Sequence, residues 1–435
     1  MGISVCINKY CLALFFLFAL NLVGMGQTSM QEIFNDPEKS GGVNYAYPFH
    51  NITAKTPIPK GYKPFYISHF GRHGSRYLTD DNEYTYLLDV FYKADSCDAL
   101  TELGENVYER LKTICGEAKE HAGELTPLGI CQQKNIAERM YKLYPDIFSG
   151  NAHISAVSTT VGRCIRSMEI LCQRLTELNP DLSVSQDASP RHMDYLNFHT
   201  KQAVQFRYAP GTWKEKYNEF EKNHVYPDRL IKSLFRDNDG FHREINPDSL
   251  MWKLYDIASS AQNMQTDISL YDLFEKEELF DLWQCKNYSL YVQYANASEN
   301  GGIMMENAKP LLKNIIENAN HVIETKSNGT SFRFGHDGNI IPLAMLLHLQ
   351  DCYNSISDSL EFYKVWSDFK VAPMSANIQI IFFRKENSDD ILVKFLHNEN
   401  EILVPPVKSD LLPYYHWNDV AEYYGSLLVD FQYHD

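Results

Sequence analysis

The apolar positions of this chain fall into two rhythms. Five runs rich in β-branched and aromatic residues read as buried strands: 63–70, 152–158, 331–335, 378–384 and 391–397. The last two pair as a hairpin across the polar turn 386–390. Between the strands, apolar residues recur at helical spacing over 103–121, 127–143, 161–178, 303–323, 339–350 and 417–430. Thr126-Pro127 places a hydroxyl cap just before a proline suited to a first helical turn. Strands alternating with helices predict an α/β fold, a mostly parallel sheet flanked by helices. Residues 188–325 break the rhythm, with long helical stretches such as 268–284 and little strand pattern. They are expected to form an inserted, mostly helical cap in an α/β domain made of 27–187 and 326–435.

The first 26 residues stand apart. Lys9 precedes an apolar run from Cys11 to Leu20, and the small residues Gly24 and Gly26 prepare a cut ahead of Gln27. This is the layout of a signal peptide and is short for a spanning helix, the uncleaved anchor being the other reading. No second run of about twenty apolar residues follows, so no stable membrane span is expected after cleavage. The protein is expected to be exported to a periplasmic, extracellular or secretory compartment.

Composition narrows the function further. With 44% hydrophobic and 13% aromatic residues, the 435-residue chain can bury a large core, which excludes a disordered or low-complexity protein. Lys and Arg number 40 against 56 Asp and Glu, and losing Lys9 takes the net charge from −16 to −17. No long basic block is present, so general nucleic-acid binding is excluded; an anionic partner needs a local cluster of positive charge. Seven cysteines remain after the leader, none in a Cys-x-x-Cys spacing, and sequons occur at Asn51, Asn287, Asn296 and Asn328. No internal repeat stands out, and the oligomeric state is left open.

The chemistry concentrates at three strand-to-helix junctions. The first strand runs into Gly71-Arg72-His73-Gly74-Ser75-Arg76. Open α/β sheets bind ligands at the carboxyl ends of their strands. Glycine lets backbone approach an oxyanion, and arginine offers a planar fork of donors matched to phosphate oxygens. A turn with a solvated charge cluster would look the same in isolation. The second junction, Thr159-Thr-Val-Gly-Arg163-Cys-Ile-Arg166, and the third, His336-Asp337-Gly338-Asn339, shift the balance by pointing Arg, His and Asp toward one pocket.

On these residues the chain resembles the histidine acid phosphatases, branch two of the histidine phosphatase superfamily, which includes phytases and multiple inositol polyphosphate phosphatases. Leu125-Thr126-x-x-Gly129-x-x-Gln132 looks like the family's Leu-Thr-x-x-Gly element. Tyr77, Arg163-Cys164 and the tail from Leu396-His-Asn to Pro413-Tyr-Tyr look closest to the inositol polyphosphate phosphatases. That group typically carries His-Ala-Glu at the acid position. This chain has His336-Asp337, the arrangement of ordinary acid phosphatases and phytases. The resemblance implies a phosphoglycerate mutase-like fold, a small phosphate ester as substrate and no cofactor.

The roles follow from chemistry. His73 is the expected nucleophile, since a neutral imidazole can form a labile phosphoramidate. Asp337 is the expected acid for the leaving alkoxide. Arg72, Arg76 and Arg163 are expected to balance the phosphoryl charge, with His336 donating to an oxygen. No metal is expected: His69 and His73 share a strand face at roughly 13 Å, and no His-Glu-x-x-His occurs. Cys164 and Cys172 read as core thiols, and Arg166 as a surface residue. Arg191, Lys201, Arg207, Lys214 and Lys216 could meet peripheral phosphates of an inositol, and each reads equally as an ordinary solvated charge. Asp80 stands where some phytases have a basic residue. The favoured substrates are inositol polyphosphates such as phytate. The alternatives are a broad acid phosphatase, a phosphate-ester-binding pseudoenzyme or, less in keeping with a leader, a mutase.

Overall fold

The computed structural model describes residues 28–429 apart from positions 50, 51, 54 and 238, so the expected leader and the Asn51 sequon lie outside the described residues. Eight strands form one sheet: β1 (Tyr62–Arg72), β2 (His153–Ser158), β3 (Ser183–Asp187), β4 (Gly329–Gly335), β5 (Asn377–Lys385), β6 (Ile391–His397), β7 (Asn400–Ile402) and β8 (Tyr414–His416). Their order is β3-β2-β4-β1-β5-β6-β7, with β8 on β6. The β3, β2, β4 and β1 pairs are parallel and the rest antiparallel, so β1 to β4 and β6 share one direction. The sheet is mostly parallel, as its alternation with helices predicts.

Register decides where chemistry can gather. Arg72 pairs with Gly335 across β1 and β4, and Ser158 pairs with Phe334 across β2 and β4. Three adjacent parallel strands therefore end at one level. β5 enters from the opposite direction there, and the Arg72 amide donates to Ala376 O at 2.7 Å.

Ten described helices have ten residues or more: α1 (Asn82–Ser96), α2 (Glu102–Ala118), α3 (Pro127–Leu143), α4 (Gly162–Leu178), α5 (Thr212–Lys222), α6 (Pro247–Ala261), α7 (Lys276–Tyr294), α8 (Lys309–Glu324), α9 (Asp337–Leu346) and α10 (Trp417–Ser426). On one face of the sheet, Ile136 and Met140 of α3 and Met168, Leu171 and Leu175 of α4 close over Ile67, Ile154, Phe332 and Ile381. Leu311, Leu312 and Ile315 of α8 and Ile340 to Ala344 of α9 cover Phe65, Phe70, Ile378 and Ile380 from the other. Each such side chain taken fully from water stabilises by about 1.5–3 kcal/mol, so both faces are firmly held.

A third apolar cluster lies in the helical layer. Leu250, Leu254 and Ile257 of α6 and Phe280 and Trp283 of α7 pack with Leu87 and Phe91 of α1 and Val107 and Leu111 of α2. Residues 188–325 contain no strand among the described positions, and their helices share this core with two helices that precede them.

The sequence pattern misplaced several boundaries. The helix expected over 268–284 begins at Lys276, because Glu275 and Glu278 form a reciprocal capping box there. The helix expected from 303 begins at Lys309 after a 3-10 turn over Ile303–Ala308, with Pro310 in its first turn. α10 stops at Ser426, short of the expected 430, and the helix expected over 339–350 spans Asp337–Leu346. Strand β3 and helix α1 were not anticipated. The Asn287 sequon is closed: its side chain is buried, accepting from the Asp368 amide at 2.9 Å and donating to Trp366 O at 3.2 Å. No helix among the described residues is long and apolar enough to cross a membrane.

Candidate active site

The common end of β1, β2 and β4 carries all six expected residues. Arg72, the last residue of β1, is wholly buried and its Nη1 donates to Val43 O and to Ala372 O at 2.7 Å. Its Nη2 lies 3.2 Å from Asp337 Oδ2. His73 follows at 2% exposure, its amide donating to Gly335 O at 3.1 Å and its Nδ1–H donating to Gly74 O at 2.9 Å. That second bond fixes the tautomer and leaves the lone pair on Nε2. The His336 ring stands edge-on to the His73 ring at 5.7 Å.

Glycine is required where the loop after β1 crosses α3. A Cβ on Gly74 would meet Gly129 O at 2.7 Å, and one on Gly129 would meet Ser75 O at 2.2 Å. Thr126 caps α3 by accepting from the Gly129 amide at 3.2 Å and also reaches Ser75 O at 3.3 Å. Gln132 closes the same crossing: its Oε1 accepts the Ser75 amide at 3.0 Å and its Nε2 donates to Ser75 Oγ at 2.8 Å. Ser75 Oγ in turn donates to Asn263 Oδ1 at 2.6 Å, at the end of α6. The Leu-Thr-x-x-Gly element thus holds the loop that presents His73.

Arg163 lies in the first turn of α4, where positive backbone potential and its own charge both favour an anion. Ser167, one turn on, accepts the Gly74 amide at 3.0 Å and donates to Arg163 O at 2.8 Å, which locks α4 to the His73 loop. His336 is the N-cap of α9 and Asp337 its first residue, with Asn339 Oδ1 accepting the His336 amide at 3.0 Å. Thr159 Oγ1 lies 3.3 Å from His336 Nε2, and the Cys164 thiol sits 3.7 Å from the same ring. The Nε groups of Arg72, Arg76 and Arg163 are all buried with no acceptor among the described residues.

The electrostatics of this cluster are one-sided. Burial, reinforced by Arg72, Arg76 and Arg163, holds the His73 imidazole well below its ordinary value and outweighs the bond to Gly74. Burial and Arg163 bring His336 down to about 4, against the opposing pull of Asp337. His336 is therefore neutral at pH 5 and above, and His73 is likewise held toward its neutral form. Burial also lowers Arg76 to about 10, which leaves it a cation at any ordinary pH. Asp337 is raised by burial, but Arg72, the Gly338 amide at 2.9 Å and Arg76 together bring it below its usual range.

The other candidate residues lie elsewhere. His69 is buried against the rings of Phe332 and Phe334, and burial drives it to about 3. No group of three or more His, Cys, Asp or Glu positioned to hold a metal occurs among the described residues. Arg166 faces outward on Glu169 at 3.2 Å, Asp80 is exposed, and Cys164 and Cys172 are buried thiols. Ser167, Thr159, Asn263 and the Val43 carbonyl were not singled out from sequence. For Ser167 a signal existed, since it stands four residues beyond Arg163 on one helix face.

The sequence model of branch 2 of the histidine phosphatase superfamily matches residues 71–398. No relative is found among curated proteins by sequence. Among solved structures, a multiple inositol polyphosphate phosphatase from Bifidobacterium longum in complex with inositol hexasulfate superposes with a TM-score of 0.72 at 18% identity. It covers 87% of this chain and 96% of its own. The same enzyme in complex with phosphate gives 0.73 at 18% identity over 90% and 98%. A phytase from D. castellii gives 0.70 at 16% identity over 91% and 86%. At these identities the likeness is one of fold.

Proposed function

From the premise that this chain belongs to branch 2 of the histidine phosphatase superfamily, and so is a phosphoric monoester hydrolase, we propose that it works through a phosphohistidine on His73. Nε2 of His73 attacks phosphorus, a P–N bond forms as the ester P–O bond breaks, and Asp337 gives its proton to the leaving oxygen. Water then attacks the phosphohistidine, Asp337 takes back a proton, and phosphate departs. Arg72, Arg76 and Arg163 balance charge spread over the equatorial oxygens, and His336 donates to one of them.

The observation that carries this reading is the 2.9 Å contact between His73 Nδ1 and Gly74 O inside a ring of three arginines. It supplies a neutral imidazole with its reactive nitrogen preset, at a place where an anion is favoured. Residues 188–325 serve in this reading as a cap over the α/β body. The substrates are inositol polyphosphates such as phytate, handled after export by the apolar leader. The His336-Asp337 pair favours one second reading, a broad acid phosphatase. The test is phosphate release from an aryl phosphate in excess chelator, with rapid quench in alkali to trap an acid-labile phosphoprotein. Wild type should turn over and form the adduct, and His73→Ala should do neither. Adduct formation in His73→Ala, or dependence on added metal, would refute the proposal.

A further inference from the structure

The residues just before β5 grip the end of β1. Ala372 O takes the Arg72 guanidinium at 2.7 Å, and Ala376 O takes the Arg72 amide at 2.7 Å. Between them the Ser375 amide donates to His73 O at 3.0 Å. With the His73 amide on Gly335 O, both backbone polar groups of the proposed nucleophile are held. Ser375 reaches this place in a left-handed conformation, φ 58°, at 1% exposure. Residues with a side chain seldom adopt that backbone, and in an interior it persists only where the surroundings impose it.

The Ser375 side chain is engaged as fully as its backbone. Its Oγ donates to Gln132 Oε1 at 2.8 Å and accepts from Gln133 Nε2 at 3.1 Å, and its carbonyl accepts from Asn377 Nδ2 at 3.2 Å. Gln132 Oε1 also takes the Ser75 amide, while Gln132 Nε2 donates to Ser75 Oγ and Ser75 Oγ to Asn263 Oδ1. Asn263 Nδ2 passes the chain on to Asn44 O at 2.7 Å. These side-chain bonds all run one way, from Gln133 through both serines to Asn44, and Ser375, Gln132, Gln133, Ser75 and Asn263 are buried. In such a chain each bond polarises the next, and a gap leaves partners that water does not reach. Ser375 therefore holds the His73 loop directly at the His73 carbonyl and, through Gln132, at the Ser75 amide.

We propose that Ser375 is a positioning residue for His73, its hydroxyl acting through Gln132 to hold the loop so that Nε2 faces phosphorus. This rests on the phosphohistidine mechanism above and names what aims its nucleophile. In-line attack is sensitive to placement, and a shift of about 1 Å can cost about 100-fold in rate. Ser375 carries no charge and does not bond to the proposed acid. Its effect therefore falls on attack itself, alike for every ester, and not on substrate binding.

The experiment compares wild type, Ser375→Ala and Ser375→Gly on p-nitrophenyl phosphate and myo-inositol hexakisphosphate. It follows kcat, KM and the rate at which rapid quench traps the acid-labile adduct, at a temperature where melts show the proteins folded. Ser375→Ala should lose at least about tenfold in kcat and in adduct formation on either ester, with KM within about twofold. Ser375→Gly suits a left-handed φ but lacks the hydroxyl, and should lose at least as much. A residue serving stability alone would lower the melt and leave kcat of the folded protein unchanged. That result overturns the proposal, as does a loss confined to KM or a fully active Gly variant. Should Ser375→Ala fail to fold, Ser375→Gly decides; failure of both assigns the hydroxyl to folding and also overturns the proposal. A wild type that turns over without an adduct removes the phosphohistidine reading and this proposal with it. An adduct formed equally fast in wild type and variants removes only the role of Ser375.

Discussion

The Asp337 carboxylate and the Arg72 guanidinium are joined at 3.2 Å, so the proposed acid and one of the proposed phosphate ligands hold each other in place. Arg72 is fully buried, whereas the Asp337 side chain keeps 30% of its surface. The pair and the Gly338 amide outweigh burial and keep Asp337 below the usual carboxylate range. A phosphate dianion set among the arginines opposes that effect, and so raises the carboxyl toward the protonated form an acid needs.

Asp337→Asn should therefore discriminate by leaving group. A positioned acid contributes typically 10²–10⁴-fold, and only where the leaving oxygen is a poor one. On an inositol phosphate we expect kcat to fall by at least about 100-fold, and on an aryl phosphate by less than about 10-fold. The alkaline fall of kcat in wild type reports deprotonation of this acid in the complex, where the bound phosphate has raised it, and the variant should lose that limb. Equal losses on the two substrates would assign Asp337 to binding.

Gly129→Ala tests the crossing of α3 and the His73 loop. The new methyl would lie 2.2 Å from Ser75 O, which is backbone and cannot swing away. Overpacking of this kind costs about 1–3 kcal/mol, and relief requires shifting the loop that presents His73. The variant should melt earlier and lose most activity on every substrate. A fully active, equally stable variant would show that the crossing is looser than described.

What the sequence revealed follows from how local each signal is. Arg72, His73, Arg163, His336 and Asp337 were legible because each sits where a strand pattern stops and a helix begins. Strand β3 was not, because Ser183–Asp187 is a polar, mostly uncovered edge strand with little to alternate. Helix α1 packs on its neighbour α2, with Phe91 stacked on Tyr108, and on α6, more than 150 residues away, so only part of its apolar face had a local explanation. The Val43 carbonyl on Arg72 is backbone, and no residue type announces it. The Gly338 position has a comparable explanation only in three dimensions: Tyr294 fills the room that a side chain there would need.

Ser167→Ala should separate positioning from chemistry. The hydroxyl accepts the Gly74 amide and donates to Arg163 O, linking the nucleophile loop to α4. Its removal leaves a buried N–H without an acceptor, a loss of about 1–3 kcal/mol. Because that loss falls on the loop itself, kcat should drop several-fold for aryl and inositol phosphates alike, while Asp337's pH limb stays where it was. A shifted limb would mean that Ser167 acts on the acid.

Asp368 gives a prediction for stability against pH. It is wholly buried and accepts from Trp283 Nε1 at 2.8 Å, the Phe369 amide at 2.8 Å and the Val43 amide at 3.1 Å. Val43 O in turn holds Arg72, so this carboxyl supports the site through one residue. Burial, only partly offset by those donors and by Arg72, raises the group from 3.8 to about 6. A folded value above the unfolded one means a stabilising contribution that is full below about 4 and is lost as pH rises through about 6. The size is on the order of 3 kcal/mol, from about 1.4 kcal/mol per tenfold change. Asp368→Asn cannot ionise, and its amide nitrogen faces a donor at Val43 or Phe369, so it should be less stable than wild type at acidic pH. Wild type alone pays for ionisation as pH rises, so the deficit should shrink between about pH 4 and 7. Melting both proteins across that window checks the sign: a deficit that stays constant or widens would mean that Asp368 ionises freely in the folded protein.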